Sequence, residues 1–110
     1  MKKTYKKMLK LMAQKPSVNS KIDKWFLYIL QCQDQTFYTG ITKDLQRRLK
    51  MHNQGKASKY TRVRRPVTMI YMEKCAGRTA AMVRECQVKA MPRIRKERLI
   101  KAVLLKKGAD

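Results

Sequence analysis

The chain has 110 residues, 44% of them hydrophobic, which allows one domain with a modest core and excludes a wholly disordered polymer. Its 28 Lys and Arg outnumber 7 Asp and Glu, giving a net charge of +21. The excess is spread along the chain, with eight basic and one acidic residue in 1–24, thirteen and four in 25–91, and seven and two in 92–110. Because such self-repulsion destabilises a compact state unless a polyanion is near, nucleic acid is the expected partner; a solvated basic surface is the simpler alternative.

Cysteine usage and hydropathy exclude several other classes. The three cysteines are odd in number and widely spaced: Cys32, Cys75 and Cys86. Without a C-x-x-C pair, neither a disulfide framework nor a zinc site is supported, and reduced, mostly buried thiols are expected. Lys10 and Gln14 interrupt the apolar run Met8–Ala13, so no signal peptide is predicted, and no long apolar run suggests a membrane partner. We therefore expect a cytoplasmic, nucleoid-associated protein.

Residues 1–22 are predicted to form a separate, basic N-terminal extension. Linker-like composition at Lys15–Ser20 separates it from the rest of the chain. Apolar side chains at helical spacing leave two alternatives open, a short basic helix that contacts DNA or a disordered segment, since an isolated helix this short is marginal in water. We place no site residue there. Residues 23–105 are predicted to form the folded domain, and residues 106–110 a C-terminal tail.

The domain is predicted to begin with a β-hairpin. Trp25–Leu30 is rich in aromatic and branched residues and indicates a buried strand. Gln33–Gln35 indicates a polar turn, and Phe37–Ile41 a second strand that pairs with the first.

A helix is predicted to follow the hairpin. Thr42 or Asp44 is suited to cap its start, and it is expected to end near Asn53, with Gly55 as the C-terminal cap. Its inward face is expected to carry two leucines, Leu45 and Leu49.

The second half of the chain is predicted to hold a basic loop, a strand and two helices. The loop is Ala57–Arg65, and the strand runs from Pro66 to Met72. A helix is predicted over about Thr79–Met91, and Pro92 suits the first turn of another. The buried stripe of that last helix is expected to contain Ile94, Leu99 and Val103. The predicted order is thus β-β-α-β-α-α.

The inventory of polar side chains limits the chemistry that the domain can perform. Between residues 25 and 91 there are four carboxylates: Asp34, Asp44, Glu73 and Glu85. A two-metal nuclease needs several carboxylates around its ions, and His52 is the only histidine, so a metal-free pair of histidines is also excluded. If the chain cuts nucleic acid, it must use one metal at most, with cations and phenols for the remaining roles.

Two local patterns favour such a site. Arg48 and His52 are four residues apart on the predicted helix and therefore share one face. Tyr28 and Tyr38 belong to strands that should pair, so that their side chains converge on one region.

Several motifs, taken in order, resemble the GIY-YIG nuclease domain, especially its small bacterial single-domain branch. They are Leu27–Tyr28, Tyr38–His52, Lys59–Arg62, Arg65–Val67 and Arg84–Lys89. The similarity covers residues 25–100, about two thirds of the chain. The first half-motif reads Phe26-Leu27-Tyr28, without its glycine and isoleucine, and Thr39 replaces the isoleucine of the second; both tyrosines remain. The resemblance implies an α+β fold with a small three-stranded antiparallel sheet flanked by helices.

The resemblance also implies a metal-dependent DNA endonuclease that hydrolyses phosphodiester bonds in DNA repair, recombination or processing. Glu85 would ligate one Mg2+ or Mn2+, which would act as a Lewis acid on the scissile phosphate. Arg48 would hold a non-bridging oxygen. Tyr38 or Tyr28 would position and deprotonate the attacking water, with nearby cations lowering the phenol pKa. His52 would share the base role or hold the phosphate.

Each of these residues has a simpler interpretation when it is taken alone. The tyrosines suit cross-strand packing, Arg48 a solvated helix face, and His52 a helix-end cation. Glu85 suits an ion pair with Arg84 or Lys89. It is the recurrence of all five types at the family spacing that favours a catalytic site.

The basic loop is predicted to bind nucleic acid through phosphate contacts and stacking on an exposed base. Its five candidate residues are Lys59, Tyr60, Arg62, Arg64 and Arg65. DNA is the expected partner and RNA is not excluded; no zinc is expected, and a monomer is assumed. Two alternatives remain: a non-catalytic basic DNA- or RNA-binding module that keeps the nuclease fold, and a structural protein of a ribonucleoprotein particle, which explains the charge but not the motif order.

Overall fold

The computed structural model describes residues 24–108, so the predicted extension 1–22 lies outside it. The elements in chain order are β1 (Trp25–Gln31), β2 (Phe37–Thr42), α1 (Leu45–Asn53), α2 (Lys59–Arg62), β3 (Thr68–Cys75), α3 (Arg78–Lys89) and α4 (Arg93–Gly108). The predicted α+β class is confirmed. The order in the described part is β-β-α-α-β-α-α, because a short helix occupies a segment predicted to be loop.

The sheet is antiparallel, with strand order β2-β1-β3. The central strand β1 is buried on both faces, which explains its continuous apolar sequence. In the pairing of β1 with β2, Tyr28 lies opposite Gly40 and Leu30 opposite Tyr38. Tyr28 and Tyr38 are therefore diagonal neighbours on one face of the sheet. The β1–β3 register shifts between Ile29 and Leu30, a bulge that leaves one extra residue, Ile70, in β3.

Alternation along β1 divides the core between the two faces of the sheet. On one face Phe26, Tyr28 and Leu30 pack with Leu45 of α1, and Leu49 is half-buried against them. This confirms the predicted inward face of α1. On the other face Leu27 and Ile29 pack with residues of α3 and α4. The face that holds Tyr28 is thus the one that α1 covers.

Helix α1 is fixed at both ends by the caps predicted from the sequence. The Asp44 carboxylate accepts a hydrogen bond from the Arg47 amide at 3.1 Å. At the other end Gly55 has φ +78°, its N–H donates to the His52 carbonyl at 3.1 Å, and the Lys56 N–H donates to the Met51 carbonyl at 2.9 Å. This pair of bonds is a Schellman motif, whose left-handed residue favours glycine.

The prediction of a loop throughout 57–65 is corrected by α2. Ser58 caps this helix, and its hydroxyl accepts a hydrogen bond from the Thr61 amide at 3.1 Å. The Asn53 side chain then joins the end of α1 to the start of β3, accepting from Val67 N–H at 2.8 Å and donating to its carbonyl at 3.0 Å. A serine before four non-breaking residues is a cap signal, which the density of basic residues obscured.

Two predictions about the C-terminal half are wrong. Ile94 is 55% exposed, and Ile100, which is 9% exposed, is buried instead. At about 100° per residue, Ile94 lies about 180° from Val103 on the helix, so the two cannot share a buried stripe. The cysteines were expected to be mostly buried, but Cys32 alone is buried, Cys75 is half-buried and Cys86 is exposed.

The other C-terminal boundaries shift by a few residues. The third strand begins after Pro66, at Thr68, and extends to Cys75. Helix α3 begins at Arg78 and ends at Lys89. Among residues 24–108, no helix combines the length and apolar character needed to cross a bilayer.

Candidate active site

A buried chain of hydrogen bonds joins the sheet to α1 and α2. The Tyr28 hydroxyl lies 2.8 Å from His52 Nε2, and His52 Nδ1 lies 2.8 Å from Thr61 Oγ1. The Thr61 hydroxyl is in turn 3.0 Å from the Ser58 hydroxyl. Tyr28, His52 and Thr61 are 2%, 1% and 0% exposed. Both imidazole nitrogens are thus engaged inside the protein, so His52 is not placed to grip a phosphate directly.

Tyr38 borders this chain on the more exposed side. Its ring centroid lies 6.5 Å from that of Tyr28 and 5.0 Å from that of His52, and the ring is half-buried. Tyr60 of α2 stacks on Tyr38 at 6.1 Å, and the Arg64 guanidinium covers Tyr60 at 3.8 Å. The rings of Tyr28, Tyr38 and His52 therefore form one contact group, which extends toward the surface through Tyr60.

Gly40 makes room for the Tyr28 hydroxyl at the centre of this group. A Cβ atom at Gly40 would lie 2.5 Å from that hydroxyl and 2.7 Å from ring carbon Cζ. The contact is with a buried side chain, held by its bond to His52. The glycine of the second half-motif is thus required by the close approach of a phenol, since its φ lies outside the left-handed region.

We expect Gly40→Ala to destabilise the fold by about 1–3 kcal/mol, because the added methyl group must displace the Tyr28 ring from a packed core. Gly77→Ala is the matched control, since a Cβ there meets nothing within 4 Å and its backbone is extended. That control should lose less than about 1 kcal/mol in urea unfolding, the cost expected from alanine in place of glycine at the N-cap of α3. Equal losses in both variants would mean that Gly40 matters for a reason other than this contact.

Arg48 and Glu85 both act electrostatically on the Tyr28 hydroxyl. The Arg48 guanidinium lowers the Tyr28 pKa, whereas the Glu85 carboxylate raises it. Arg48 is half-buried on α1, one turn before His52. The Glu85 side chain is 23% exposed and pairs with Lys89 at 3.3 Å. Arg84, the other partner considered for Glu85, is bound to Glu73 instead, at 2.7 Å.

Burial dominates the protonation of the two central groups. It raises the pKa of Tyr28 well above its usual range, more than Arg48 lowers it. The expectation that cations would lower this phenol pKa is therefore wrong for Tyr28. Burial, with a smaller contribution from Arg48, lowers the pKa of His52 to about 4. Both groups are neutral at pH 7.

A divalent metal fits the donor set at Glu85 only if other groups complete its coordination. Within residues 24–108, no cluster of three or more His, Cys, Asp and Glu side chains could hold an ion. Mg2+ often uses one or two carboxylates and fills its other positions with water and phosphate oxygens. Glu85, partly exposed and close enough to influence Tyr28, satisfies that requirement.

The five residues predicted to bind nucleic acid lie on and just after α2, and some already have partners. Arg64 donates to the Asp34 carboxylate at 3.1 Å, and Arg65 donates to the Arg62 carbonyl at 2.8 Å. Lys59 and Tyr60 are exposed, with Tyr60 at 37%. The Tyr60 ring already has Tyr38 stacked on it at 6.1 Å and the Arg64 guanidinium over it at 3.8 Å, so a base that stacks on this ring competes with these contacts.

Sequence reasoning did not identify two parts of the site. One is the hydroxyl pair of Thr61 and Ser58 behind His52, which no motif marks as functional. The other is a pocket of about 320 Å³ at the start of α1. It is lined by Trp25, Thr42, Lys43, Asp44, Arg47, Arg48 and Met51. In the sequence, the pair Arg47-Arg48 was the feature that could have indicated this pocket.

Comparison with known proteins shows the family. Residues 24–97 match the GIY-YIG catalytic domain. A UPF0213 protein of Desulfotalea psychrophila is 48% identical over 79 residues, which are 71% of this chain and 72% of that protein. A UPF0213 protein of Staphylococcus aureus is 44% identical over 80 residues, 73% of this chain and 98% of that protein. A solution NMR structure of an E. faecalis protein aligns with a TM-score of 0.53 and 43% identity, covering 74% of this chain and 88% of that one. The chain therefore belongs to the GIY-YIG catalytic domain family of nucleases, which generally use a divalent metal.

Proposed function

We propose that this protein is a metal-dependent endonuclease that hydrolyses phosphodiester bonds of DNA, in repair, recombination or processing. The observation that carries the proposal is the convergence of groups on the Tyr28 hydroxyl. His52 is hydrogen-bonded to it at 2.8 Å, Tyr38 contacts its ring, and Arg48 and Glu85 act on its ionisation. A module that only binds nucleic acid has no need of a carboxylate within such a cationic site.

Arg48 and Glu85 take the roles that balance charge. Glu85 would hold one Mg2+ or Mn2+, and a metal bound there supplies Lewis acidity toward the scissile phosphate. Arg48 grips a non-bridging phosphate oxygen, a task suited to its permanently charged, forked donors. The partly exposed pocket at the start of α1 gives Arg48 an open approach to solvent and substrate.

Tyr28 and His52 move the proton of the attacking water. The water passes a proton to the Tyr28 oxygen while the Tyr28 proton passes to His52 Nε2, and the resulting hydroxide forms a bond to phosphorus as the bond from phosphorus to the 3′ oxygen breaks. The leaving 3′ oxygen takes a proton from solvent, and His52 returns its extra proton to solvent, which restores both residues. The raised pKa of Tyr28 and the lowered pKa of His52 both disfavour a resting phenolate–imidazolium pair. The pair therefore rests neutral, and transfer is favoured only when the phosphate anion is bound beside it. Tyr38, the more exposed phenol, orients the water.

Basic residues around this centre bind the flanking strand. Lys59, Arg62 and the exposed parts of Arg64 and Arg65 contact phosphates, which fix position without reading sequence. The strong net positive charge suits nucleoid DNA in the cytoplasm as the substrate.

We expect the wild-type protein to nick supercoiled plasmid in Mg2+ or Mn2+ and to lose this activity in EDTA. Arg48→Ala should lower the single-turnover rate about 100-fold or more, with DNA affinity changed about threefold or less, because the guanidinium stabilises charge in the transition state. Arg47→Ala, in the neighbouring and exposed position of the same pocket, is the matched control and should mainly weaken binding.

Two outcomes would contradict this assignment. Equal losses of rate and affinity in Arg48→Ala would reduce Arg48 to a binding contact. Tight DNA binding with no nicking in either metal would identify a non-catalytic nucleic-acid-binding module.

A further inference from the structure

His52 lies between the hydroxyl groups of Tyr28 and Thr61, and the hydrogen bonds to these groups determine which ring nitrogen carries the proton. Because its pKa is lowered to about 4, the ring is neutral at pH 7 and carries one N–H. One of its two 2.8 Å hydrogen bonds must therefore be donated by the ring and the other accepted.

If the proton is on Nδ1, every donor in the chain has an acceptor. His52 Nδ1–H then donates to Thr61 Oγ1, and Tyr28 O–H donates to Nε2. The Thr61 hydroxyl proton is directed to the Ser58 hydroxyl, 3.0 Å away. Ser58 is half-buried at the start of α2, where its own proton reaches solvent.

If the proton is on Nε2, the Tyr28 hydroxyl becomes an acceptor and its own proton must find another oxygen. Before substrate and the attacking water are bound, the Tyr28 hydroxyl makes no second hydrogen bond in the described part of the chain, and the residue is 2% exposed. A buried donor without a partner costs about 1–3 kcal/mol. The Nδ1–H tautomer is therefore favoured.

We propose that Thr61, held in turn by Ser58, is a positioning residue: it accepts the bond from Nδ1–H and so, with the Tyr28 hydroxyl as the donor on the other side, fixes His52 in the Nδ1–H tautomer. The Nε2 lone pair then faces Tyr28 and is able to receive its proton. The catalytic meaning of this arrangement rests on the proposed nuclease function, whereas the tautomer itself does not. Thr61 acts through His52, since its hydroxyl is bound to Nδ1, the ring nitrogen opposite the one that meets Tyr28.

The tautomer can be measured directly because His52 is the only histidine of the chain. In the untagged full-length protein labelled with 15N-histidine, the 15N NMR spectrum contains ring-nitrogen signals from His52 alone. At pH 7 we expect Nδ1 to show the shift of a protonated nitrogen and Nε2 that of an unprotonated one. The opposite pattern in the wild type overturns the proposal.

Two variants at position 61 test whether the hydroxyl sets the tautomer. Thr61→Val keeps the shape but removes the acceptor, and should shift the ring toward the Nε2–H form. It should lower the single-turnover nicking rate about 10- to 100-fold, because a positioned acid–base group contributes about 100- to 10,000-fold and is here only misoriented, with DNA affinity unchanged within about twofold. Thr61→Ser restores the hydroxyl and should recover both the spectrum and the rate. An unchanged tautomer in Thr61→Val overturns the proposal.

A second variant serves if Thr61→Val does not fold. Tyr28→Phe removes the other hydrogen bond, and the Nδ1–H form should persist in it because Thr61 still accepts. A switch to the Nε2–H form would assign control to Tyr28 and contradict the proposal. Absence of nicking by the wild type would count against the nuclease function alone, since the spectrum decides the tautomer without any activity.

Discussion

Glu85→Gln is expected to reduce Mg2+-dependent nicking about 1,000-fold or more while DNA binding is retained or strengthened. Glutamine keeps the size of the side chain but is a poor ligand for a hard divalent cation. Loss of a Lewis acid removes several kcal/mol of transition-state stabilisation, and each 1.36 kcal/mol is about tenfold in rate. Removing a negative charge from a basic site also favours the phosphate backbone. Single-turnover nicking and a binding titration at one salt concentration measure the two effects separately.

Glu97→Gln provides the matched control for this experiment. Glu97 also forms an i,i+4 ion pair on a helix, with Arg93 at 2.9 Å, compared with 3.3 Å for Glu85 and Lys89. Loss of such a partly exposed pair costs about 0.5 kcal/mol, so Glu97→Gln should nick at the wild-type rate. If both variants keep full activity, the carboxylate of Glu85 is not the metal ligand, and its pairing with Lys89 is its whole role.

Acid is expected to destabilise this protein through His52 as the pH falls from 6.5 toward 4. The pKa of His52 is lowered from 6.5 to about 4, so the unfolded chain binds a proton in that range and the folded chain does not. The stabilisation is fully present above pH 6.5 and is lost as the pH falls toward 4. Its full size is about 3 kcal/mol, a large part of the stability of a domain this small.

Urea unfolding at intervals between pH 7.5 and 4 measures this loss, and His52→Gln supplies the reference because it lacks the titrating ring. The wild type should lose about 3 kcal/mol more than the variant across that interval. The hydrogen bonds from Thr36 lower the pKa of Asp34, so this carboxylate also contributes stability that is lost at acid pH. That loss is the same in both proteins and cancels in the comparison. Parallel curves for the two proteins would show that His52 is not buried as a neutral ring.

Local signals in the sequence were sufficient for most of the fold. The sequence predicted the hairpin, and it predicted α1 with Asp44 as its cap and Gly55 at its end. It also predicted two core positions of α4, Leu99 and Val103. These features were predictable because each depends on neighbouring residues. Ile94 was misassigned because apolar character was weighed without the helical angle between positions. The short helix α2 was missed because a single turn has few residues to carry a pattern, and its basic side chains resemble those of a loop.

The sequence proposed which residues belong to the candidate site, but it did not predict their protonation. Spacing and family resemblance selected Tyr28, Tyr38, Arg48, His52 and Glu85, and the structure brings the three rings into contact. The sequence favoured a phenol with a lowered pKa, whereas burial raises that of Tyr28. Desolvation depends on everything packed around a group, which neither spacing nor composition contains.

By itself, the sequence determined the α+β class, the family and the strongly cationic character, and it supplied the candidate residues of the site, because these depend on local order and composition. Only the tertiary structure decided that Thr61 lies behind His52, that Gly40 must lack a side chain beneath Tyr28, and that Glu73 rather than Glu85 pairs with Arg84. Each of those contacts joins elements separated along the chain, and the strand register and helix packing that create them are properties of the folded whole.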